Sequence, residues 1–223
     1  TRYKEPRLSR DHTERMFQFF GIPLAKEDGA LVLHGRPSVG WRGVHVIIPG
    51  DFSAAAFFIV GATIVRGSDI TIYNVGMNPT RTGLLEIMKK MGADIQVLGL
   101  REAAGEPVAD LRVKSSPLKG VTIGHDLIPH TIDEFPVLCV AAAVAEGDTV
   151  ISGAEELRVK ESDRIATMSC ELQAMGALIE ERPDGMIIHG LGQGGENGKL
   201  NAADKAQSHG DHRVAMSLAI GGL

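Results

Sequence analysis

Cysteine is scarce in this sequence, which argues against a disulfide framework or a thiolate metal site. Only Cys139 and Cys170 are present, each inside an apolar helical pattern and neither in a CxxC or Cys/His spacing. The pattern predicts reduced, packed thiols in a cytosolic protein.

Long hydrophobic runs and a secretory N-terminal region are also lacking. The longest apolar runs, such as residues 135–145, are too short to span a bilayer, so we expect a soluble, cytoplasmic protein with no membrane partner. Positive charge is not in excess either, since the formal net charge is -5. Without a basic face or tail, we expect no nucleic-acid partner, although local Arg and Lys clusters remain able to hold small anions.

What the sequence does contain is an internal repeat. With 223 residues, 43% of them hydrophobic, it is long enough for a large single core or two domains. A unit recurs roughly every 80 residues, and each copy begins with an acidic loop that leads into an apolar helix of small residues. These segments start at Pro49, Ile132 and Gly210 and read PGDFSAAAFFIVGATIV, IDEFPVLCVAAAVA and GDHRVAMSLAIGG.

The second half of each unit is also recognisable. The pattern predicts a strand at 69–75 and 149–152, then a second helix at 81–91 and 162–175 that ends at a glycine. Residues 10–21 form a third copy of that second helix. Shorter strands are predicted at 31–34, 44–48, 94–98, 111–114 and 186–189.

The alternation of strands and helices predicts an α/β fold built from repeats. The chain begins in the second half of one unit and stops just after the first helix of another, so we expect it to be part of a longer protein. A domain boundary is expected near residues 48–50, where a predicted strand meets a Pro-Gly pair. Residues 1–48 would then end one repeat domain, and residues 49–223 would form most of a second domain that is truncated at its end.

The motif LRVKESDR, residues 157–164, predicts an anion site. Ser162 is the expected N-cap of the helix that follows, which places Lys160, Glu161 and Arg164 around a helix N-terminus. The alternative is an ordinary capped surface helix with solvated charges. Cations near an N-terminus oppose the helix dipole by up to about 1 kcal/mol each, and a bound anion would remove that conflict, so the anion site is favoured.

Two further helix starts carry candidate residues. Asp133 is interpreted either as a simple N-cap or as a carboxylate at the foot of a buried helix that accepts a proton from a hydroxyl. In GDHR, Asp211 is the expected cap and Arg213 a second anion contact. His212 is equally compatible with a hydrogen-bonded structural histidine and with a catalytic role.

Neither a metal nor an organic cofactor is predicted. His209 and His212 flank Asp211 at a spacing of three, but the sequence offers no second ligand cluster. The run of Gly190, Gly192 and Gly195 matches GxGxxG, yet no apolar-periodic helix follows it, so we interpret it as a flexible loop.

Five motifs together resemble one family. PGDFSAAAF, MNPTRTG, IDEFPVLCVAAA, LRVKESDR and GDHRVAMS are similar to motifs of the 5-enolpyruvylshikimate-3-phosphate synthases, the 3-phosphoshikimate 1-carboxyvinyltransferases of the shikimate pathway to chorismate and the aromatic amino acids. The resemblance covers essentially the whole chain and is closer to the bacterial class II branch, which has glyphosate-tolerant members. It implies two domains, each of three βαβαββ units in an inside-out α/β barrel, with helix N-termini directed at the cleft between them.

The resemblance also implies an activity. The family transfers the enolpyruvyl group of phosphoenolpyruvate to the 5-hydroxyl of shikimate 3-phosphate and releases phosphate, without a metal or cofactor. Asp133 matches the proton acceptor for the hydroxyl, Glu161 the carboxylate that shuttles a proton at the methylene carbon, and His212 an active-site histidine. Glyphosate is an inhibitor of the family, but the loop that usually sets sensitivity to it is not among these residues. The full-length enzyme is expected to be a monomer.

The same resemblance assigns substrate contacts. Arg10 and Lys160 match groups that bind shikimate 3-phosphate, as Asp133 also does, and Arg164 and Arg213 match groups that bind phosphoenolpyruvate. Other family contacts fall outside these residues, so we expect residues 1–223 alone to be inactive. Two alternatives stay open: the sister enolpyruvyl transferase that acts on UDP-N-acetylglucosamine, against which LRVKESDR and GDHR argue, and a non-catalytic module that binds a phosphorylated metabolite.

Overall fold

Each apolar, small-residue segment of the repeat forms a helix. The structure is a computed structural model that describes residues 1–5, 9–35, 43–192, 199–203 and 205–223. The helices are α1 (His12–Phe19), α2 (Phe52–Ile64), α3 (Gly83–Lys90), α4 (Phe135–Ala143), α5 (Arg164–Ala174) and α6 (His212–Gly221), with a 3-10 turn at Glu155–Val159.

The strands form three small sheets that repeat one topology. The strands are β1 (Arg2–Tyr3), β2 (Ala25–Glu27), β3 (Ala30–Val32), β4 (Asp69–Gly76), β5 (Asp94–Ala103), β6 (Glu106–Lys114), β7 (Thr122–Ile123), β8 (Glu146–Ile151), β9 (Leu178–Arg182) and β10 (Gly185–Leu191). The sheet orders are β1-β3-β2, β4-β6-β5 and β7-β8-β10-β9. In each sheet a strand leads through a helix to an antiparallel hairpin, whose second strand pairs with the first. The predicted repeat, including the partial copy that opens the chain, is therefore confirmed.

The core lies among the first helices of the units. All nine residues of α4 are buried, and α4 contacts both α2 and α6. Small side chains allow this close approach: a Cβ at Gly61 of α2 would lie 3.3 Å from Cδ1 of Ile220 in α6. A helix that is apolar on all sides needs burial on all sides, and α5 and β10 also pack against α4. Helices α2 and α6 are less enclosed, since Phe58 and Met216 are 62% and 41% exposed.

One predicted strand is wrong. Residues 44–48 form no strand, and only Gly50 bridges to Val75 in parallel orientation. At the equivalent place in the next unit, β7 pairs with β8 over two residues. A strand needs a hydrogen-bonded neighbour, and Ile48 is 81% exposed instead of packed on a sheet.

Two of the three predicted helix caps are also wrong. Asp163, not Ser162, caps α5, and its side chain accepts a hydrogen bond from Ala166 N at 3.0 Å. Asp133 does not cap α4, whose N-cap position is Glu134 without a side-chain cap hydrogen bond. The prediction for α6 is confirmed, since Asp211 accepts a hydrogen bond from Arg213 N at 2.9 Å. Several acidic and hydroxyl residues precede each helix, and sequence alone does not tell which of them takes the cap geometry.

Three smaller predictions are resolved in the described residues. Both cysteines are free, but only Cys139 is packed, because Cys170 lies on the exposed face of α5. Gly190 belongs to strand β10 instead of a loop, while Gly195 lies outside the described residues. No helix in the described part of the chain is long and apolar enough to cross a bilayer.

Candidate active site

Asp133 lies where the N-termini of the buried helices meet, and arginines surround it. Its Oδ2 is 3.5 Å from Arg10 Nη2, 3.8 Å from Arg213 Nη2 and 4.0 Å from Arg81 Nη2, and its Oδ1 is 3.8 Å from Arg164 Nη1. The side chain remains 29% exposed. None of these distances is that of a short charge-assisted hydrogen bond, so the carboxylate stays accessible among four cations.

Arg164 is the buried member of this group. Its side chain is 1% exposed; Nε donates to Asp211 Oδ2 at 2.8 Å and Nη2 donates to Glu161 Oε2 at 2.7 Å. These carboxylates compensate the cation at the start of α5, so the predicted need for an external anion to offset the helix dipole is wrong for Arg164. Its buried Nη1, however, has no hydrogen-bond partner among the described residues, which leaves one donor available beside Asp133.

Asp211 holds Arg164 in this orientation. It is fully buried at the N-cap of α6. Burial opposes ionisation of Asp211, but hydrogen bonds from Arg164 and from the backbone N–H groups of Arg213 and Val214 outweigh it and lower the pKa of the carboxyl. The pair therefore joins α5 to α6 as two ions.

Arg10 and Arg213 are fixed by backbone carbonyls. Arg10 Nη1 donates to Thr80 O at 2.6 Å and to Pro129 O at 3.1 Å, and Arg213 Nη1 donates to Asp133 O at 3.2 Å. Burial, followed by the nearby charge of Arg81, lowers the pKa of Arg10. Guanidinium groups held this close to one another favour an anion between them.

The remaining predicted residues lie further from Asp133. Glu161 is half exposed and reaches the group through its bond to Arg164. Lys160 Nζ pairs with Glu156 Oε1 at 2.5 Å. His212 is exposed at the first position of α6, and its side chain makes no hydrogen bond to another described residue. The structure thus brings together Arg10, Asp133, Arg164 and Arg213, with Glu161 adjacent, but not Lys160 or His212.

Sequence reasoning missed three residues of the site. Arg81, from MNPTRTG, and Ser53, from PGDFSAAAF, were assigned no role, and neither was Glu134. The repeat could have pointed to Arg81. Helices α3 and α5 occupy the same place in their units, and a charged segment precedes each of them: Arg81 before α3 and LRVKESDR before α5. Among the described residues, no group of three or more His, Cys, Asp or Glu side chains is arranged to hold a metal ion.

Replacing Gly83 by Ala is expected to destabilise the protein by about 1–3 kcal/mol. Gly83 opens α3 against the loop that precedes Asp133; an added Cβ would overlap Thr131 Oγ1 and lie 2.8 Å from the carbonyl carbon and oxygen of His130. Denaturant unfolding measures the change. Gly124→Ala is the matched control, since no atom lies within 4 Å of its Cβ position; equal effects of both substitutions would contradict the prediction.

Fold and site together define a class of protein. Repeated α/β units direct the N-termini of buried helices at one end, where four arginines and an accessible carboxylate form a binding site for small polyanions. The model of the EPSP synthase (3-phosphoshikimate 1-carboxyvinyltransferase) family matches residues 1–223, and the chain belongs to that family.

Individual relatives agree with this assignment. The chain is 53% identical to the 3-phosphoshikimate 1-carboxyvinyltransferase of Geobacter sulfurreducens, over 100% of the chain and 50% of the relative. It is 54% identical to that of Alkalilimnicola ehrlichii, over 97% of the chain and 46% of the relative. The chain therefore spans about half the length of the curated relatives it matches.

Solved structures extend the comparison. The EPSP synthase of Acinetobacter baumannii superposes on this chain with a TM-score of 0.94 at 48% identity. The match includes 100% of this chain and 50% of the Acinetobacter baumannii chain. The enolpyruvyl transferase NikO of Streptomyces tendae gives a TM-score of 0.72 at 20% identity, over 100% of this chain and 48% of its own. The second likeness is one of fold.

Proposed function

We propose that the protein carrying this chain transfers the enolpyruvyl group of phosphoenolpyruvate to the 5-hydroxyl of shikimate 3-phosphate. One observation carries the proposal: a partly exposed carboxylate lies within 4.0 Å of four guanidinium groups where buried helices begin. Each substrate carries a phosphate and a carboxylate, so binding both in one site requires several fixed cations, and Arg10, Arg164 and Arg213 are the three assigned to the substrates.

The residues divide the chemistry between them. Asp133 accepts the proton of the 5-hydroxyl as its oxygen attacks C2 of phosphoenolpyruvate, while the carboxyl group of Glu161 gives a proton to the methylene carbon. In the second step Glu161 takes a proton back from that methyl group as the C–O bond to phosphate breaks, which forms the enolpyruvyl ether, and the departing phosphate takes the proton held by Asp133. Arg164, with its unpartnered Nη1, and Arg213 bind phosphoenolpyruvate, and Arg10 binds the phosphate of shikimate 3-phosphate.

Lys160 and His212 complete the proposed site after a local rearrangement. Lys160 is bound to Glu156, whose side chain is 65% exposed. An ion pair exposed to water contributes little to stability, so Lys160 can exchange this partner for the phosphate of shikimate 3-phosphate. His212 lies between Asp211 and Arg213 in the sequence. A substrate that binds to Arg213 therefore comes within reach of the His212 imidazole.

The proposal extends to the protein as a whole. It is a cytoplasmic enzyme that is monomeric at full length. Residues 1–48 belong to one domain and residues 49–223 to a second. Polar contacts across this boundary support the division: Asn78 Nδ2 donates to Asp11 Oδ1 at 2.6 Å, and His12 Nδ1 lies 2.6 Å from Glu106 Oε1. Helix α1 buries none of its residues.

A turnover assay tests the function. The protein is prepared at the length of its relatives, with residues outside 1–223 supplied where needed from the Geobacter sulfurreducens enzyme, and mixed with phosphoenolpyruvate and shikimate 3-phosphate. Release of phosphate with formation of the enolpyruvyl ether is expected. Residues 1–223 alone serve as the comparison and are expected to give no turnover, since half of the relatives' length is then missing.

The alternatives predict other outcomes of the same assay. Turnover only when UDP-N-acetylglucosamine replaces shikimate 3-phosphate would assign the sister enolpyruvyl transferase activity. Binding of shikimate 3-phosphate by calorimetry, without turnover of either acceptor, would assign a module that only binds a phosphorylated metabolite.

A further inference from the structure

The first turn of α4 carries Asp133 at its foot but has no cap of its own. Glu134 occupies the N-cap position, and its side chain makes no cap hydrogen bond. A helix start without a side-chain cap lacks a local partner for its first N–H groups. Contacts from other elements therefore help to fix the direction of the Asp133 carboxylate.

Those contacts come through a buried network of three residues, which we call the Arg81–Ser53–Glu134 network. Ser53, in the first turn of α2, donates to Glu134 Oε1, and Arg81 Nη2 donates to Ser53 Oγ at 2.5 Å. Ser53 and Glu134 are 2% and 1% exposed. The network thus joins α2, the loop before α3 and the start of α4 in one set of polar contacts.

Arg81 differs from the other three arginines around Asp133. Arg10 and Arg213 are held by backbone carbonyls and Arg164 by Asp211. Arg81 instead donates to Ser53, which also binds the residue next to Asp133, and it lies 3.5 Å from Oδ1 of Asp51 at the N-cap of α2. The same Nη2 lies 4.0 Å from Asp133 Oδ2. Arg81 therefore lies near the carboxylate and is linked, through Ser53, to the side chain of the residue that follows Asp133.

We infer that Arg81 is a positioning residue for Asp133, acting through Ser53 and Glu134 as well as by its own charge. The inference rests on the proposed function, in which Asp133 is the base. Burial raises the pKa of Glu134, against which the Ser53 hydrogen bond and the charge of Arg81 act. Loss of Arg81 would leave Glu134 with one cation fewer and would release the start of α4 at the reacting carboxylate.

Kinetics of Arg81→Met in the full-length protein test this role. Methionine keeps much of the side-chain volume but removes the charge and the donors. We expect kcat to fall about 10–100-fold, because small displacements of a catalytic group have effects of this order, while KM for both substrates stays within about threefold. Arg81→Lys, which retains the charge, should restore part of kcat. Arg112→Met is the matched control, since Arg112 pairs with Asp69 on the exposed surface of the β4-β6-β5 sheet.

A double-mutant cycle tells positioning from other roles. If Arg81 acts through Asp133, adding Arg81→Met to Asp133→Asn should lower kcat no further. A full additional loss in the double variant would overturn the inference. A higher KM with unchanged kcat in Arg81→Met would also overturn it, because Arg81 would then be a substrate contact. A lower unfolding temperature with unchanged kcat would overturn it as well, because the role of Arg81 would then be only structural.

A second measurement does not depend on turnover. Titration of the Glu134 carboxyl carbon by NMR should show a higher pKa in Arg81→Met than in the unsubstituted protein, and no change in Arg112→Met. The same Glu134 pKa in Arg81→Met and in the unsubstituted protein would overturn the proposal that Arg81 acts on Glu134 through this network. If the unsubstituted protein shows no turnover, the proposed function fails, and this titration still decides whether Arg81 controls the start of α4.

Discussion

Replacing Asp133 by Asn is expected to lower kcat by roughly 10²–10⁴-fold, the usual contribution of a general base, while both substrates still bind. Asparagine has nearly the same shape but cannot accept a proton. Its amide also leaves the four surrounding arginines, which approach Asp133 to 3.5–4.0 Å, without their shared carboxylate. Anionic substrates should therefore bind at least as tightly, since the amide oxygen of asparagine can still accept a hydrogen bond from the 5-hydroxyl. Steady-state kinetics and calorimetry with shikimate 3-phosphate measure the two effects.

The control for this substitution is Asp126→Asn, which makes the same chemical change at an exposed residue of the loop before α4. It should leave kcat and binding unchanged. Turnover by Asp133→Asn equal to that of the unsubstituted protein would refute the assignment of Asp133 as the base. A parallel loss of binding and of unfolding temperature would instead give Asp133 a structural role.

Replacing Arg164 by Met is expected to destabilise the protein by about 3–5 kcal/mol, the cost of removing one partner of a buried ion pair. Asp211, which is fully buried, would keep its charge without the guanidinium that compensates it. Binding of phosphoenolpyruvate should also weaken, because the unpartnered Nη1 beside Asp133 is lost. Urea unfolding with the midpoint and slope compared between variants gives the change in free energy.

The effect of Arg164→Met should depend on pH in a defined direction. Because the folded-state pKa of Asp211 lies below its ordinary value of 3.8, its contribution to stability is present above that value and is lost as the pH falls through the folded pKa. The difference in the free energy of unfolding between Arg164→Met and the unsubstituted protein should therefore become smaller below about pH 4. A difference that stays constant down to pH 3 would contradict the role assigned to the Asp211 pair.

Two further variants isolate the ion pair. Adding Asp211→Asn to Arg164→Met should cost less than the sum of the single substitutions, since the second change removes the uncompensated charge that the first one created. Arg112→Met removes an exposed arginine from its pair with Asp69 and should change stability little. Additive effects at Arg164 and Asp211 would show that the two side chains do not interact.

The local predictions succeeded where a short stretch of sequence contains all of the relevant information. The small, apolar residues of IDEFPVLCVAAAVA indicate a helix buried on all sides, and α4 is such a helix. Asp211 is followed at once by an apolar helix, and it caps that helix. The strand at 44–48 failed because its β-branched residues fit a strand, whereas a strand also needs a partner, and that partner is not local.

The sequence by itself determined the repeat, the buried helices, the acidic loops that precede them and the motifs of the family. Only the tertiary structure decided that Arg10, Arg81, Arg164 and Arg213 surround one carboxylate, and that Asp211 compensates Arg164 across 47 positions of sequence. The physical reason is that periodicity fixes which face of a helix is buried, but not which distant charges meet at its end. That meeting depends on how three apolar helices pack together, and it turns separate cations into one anion site.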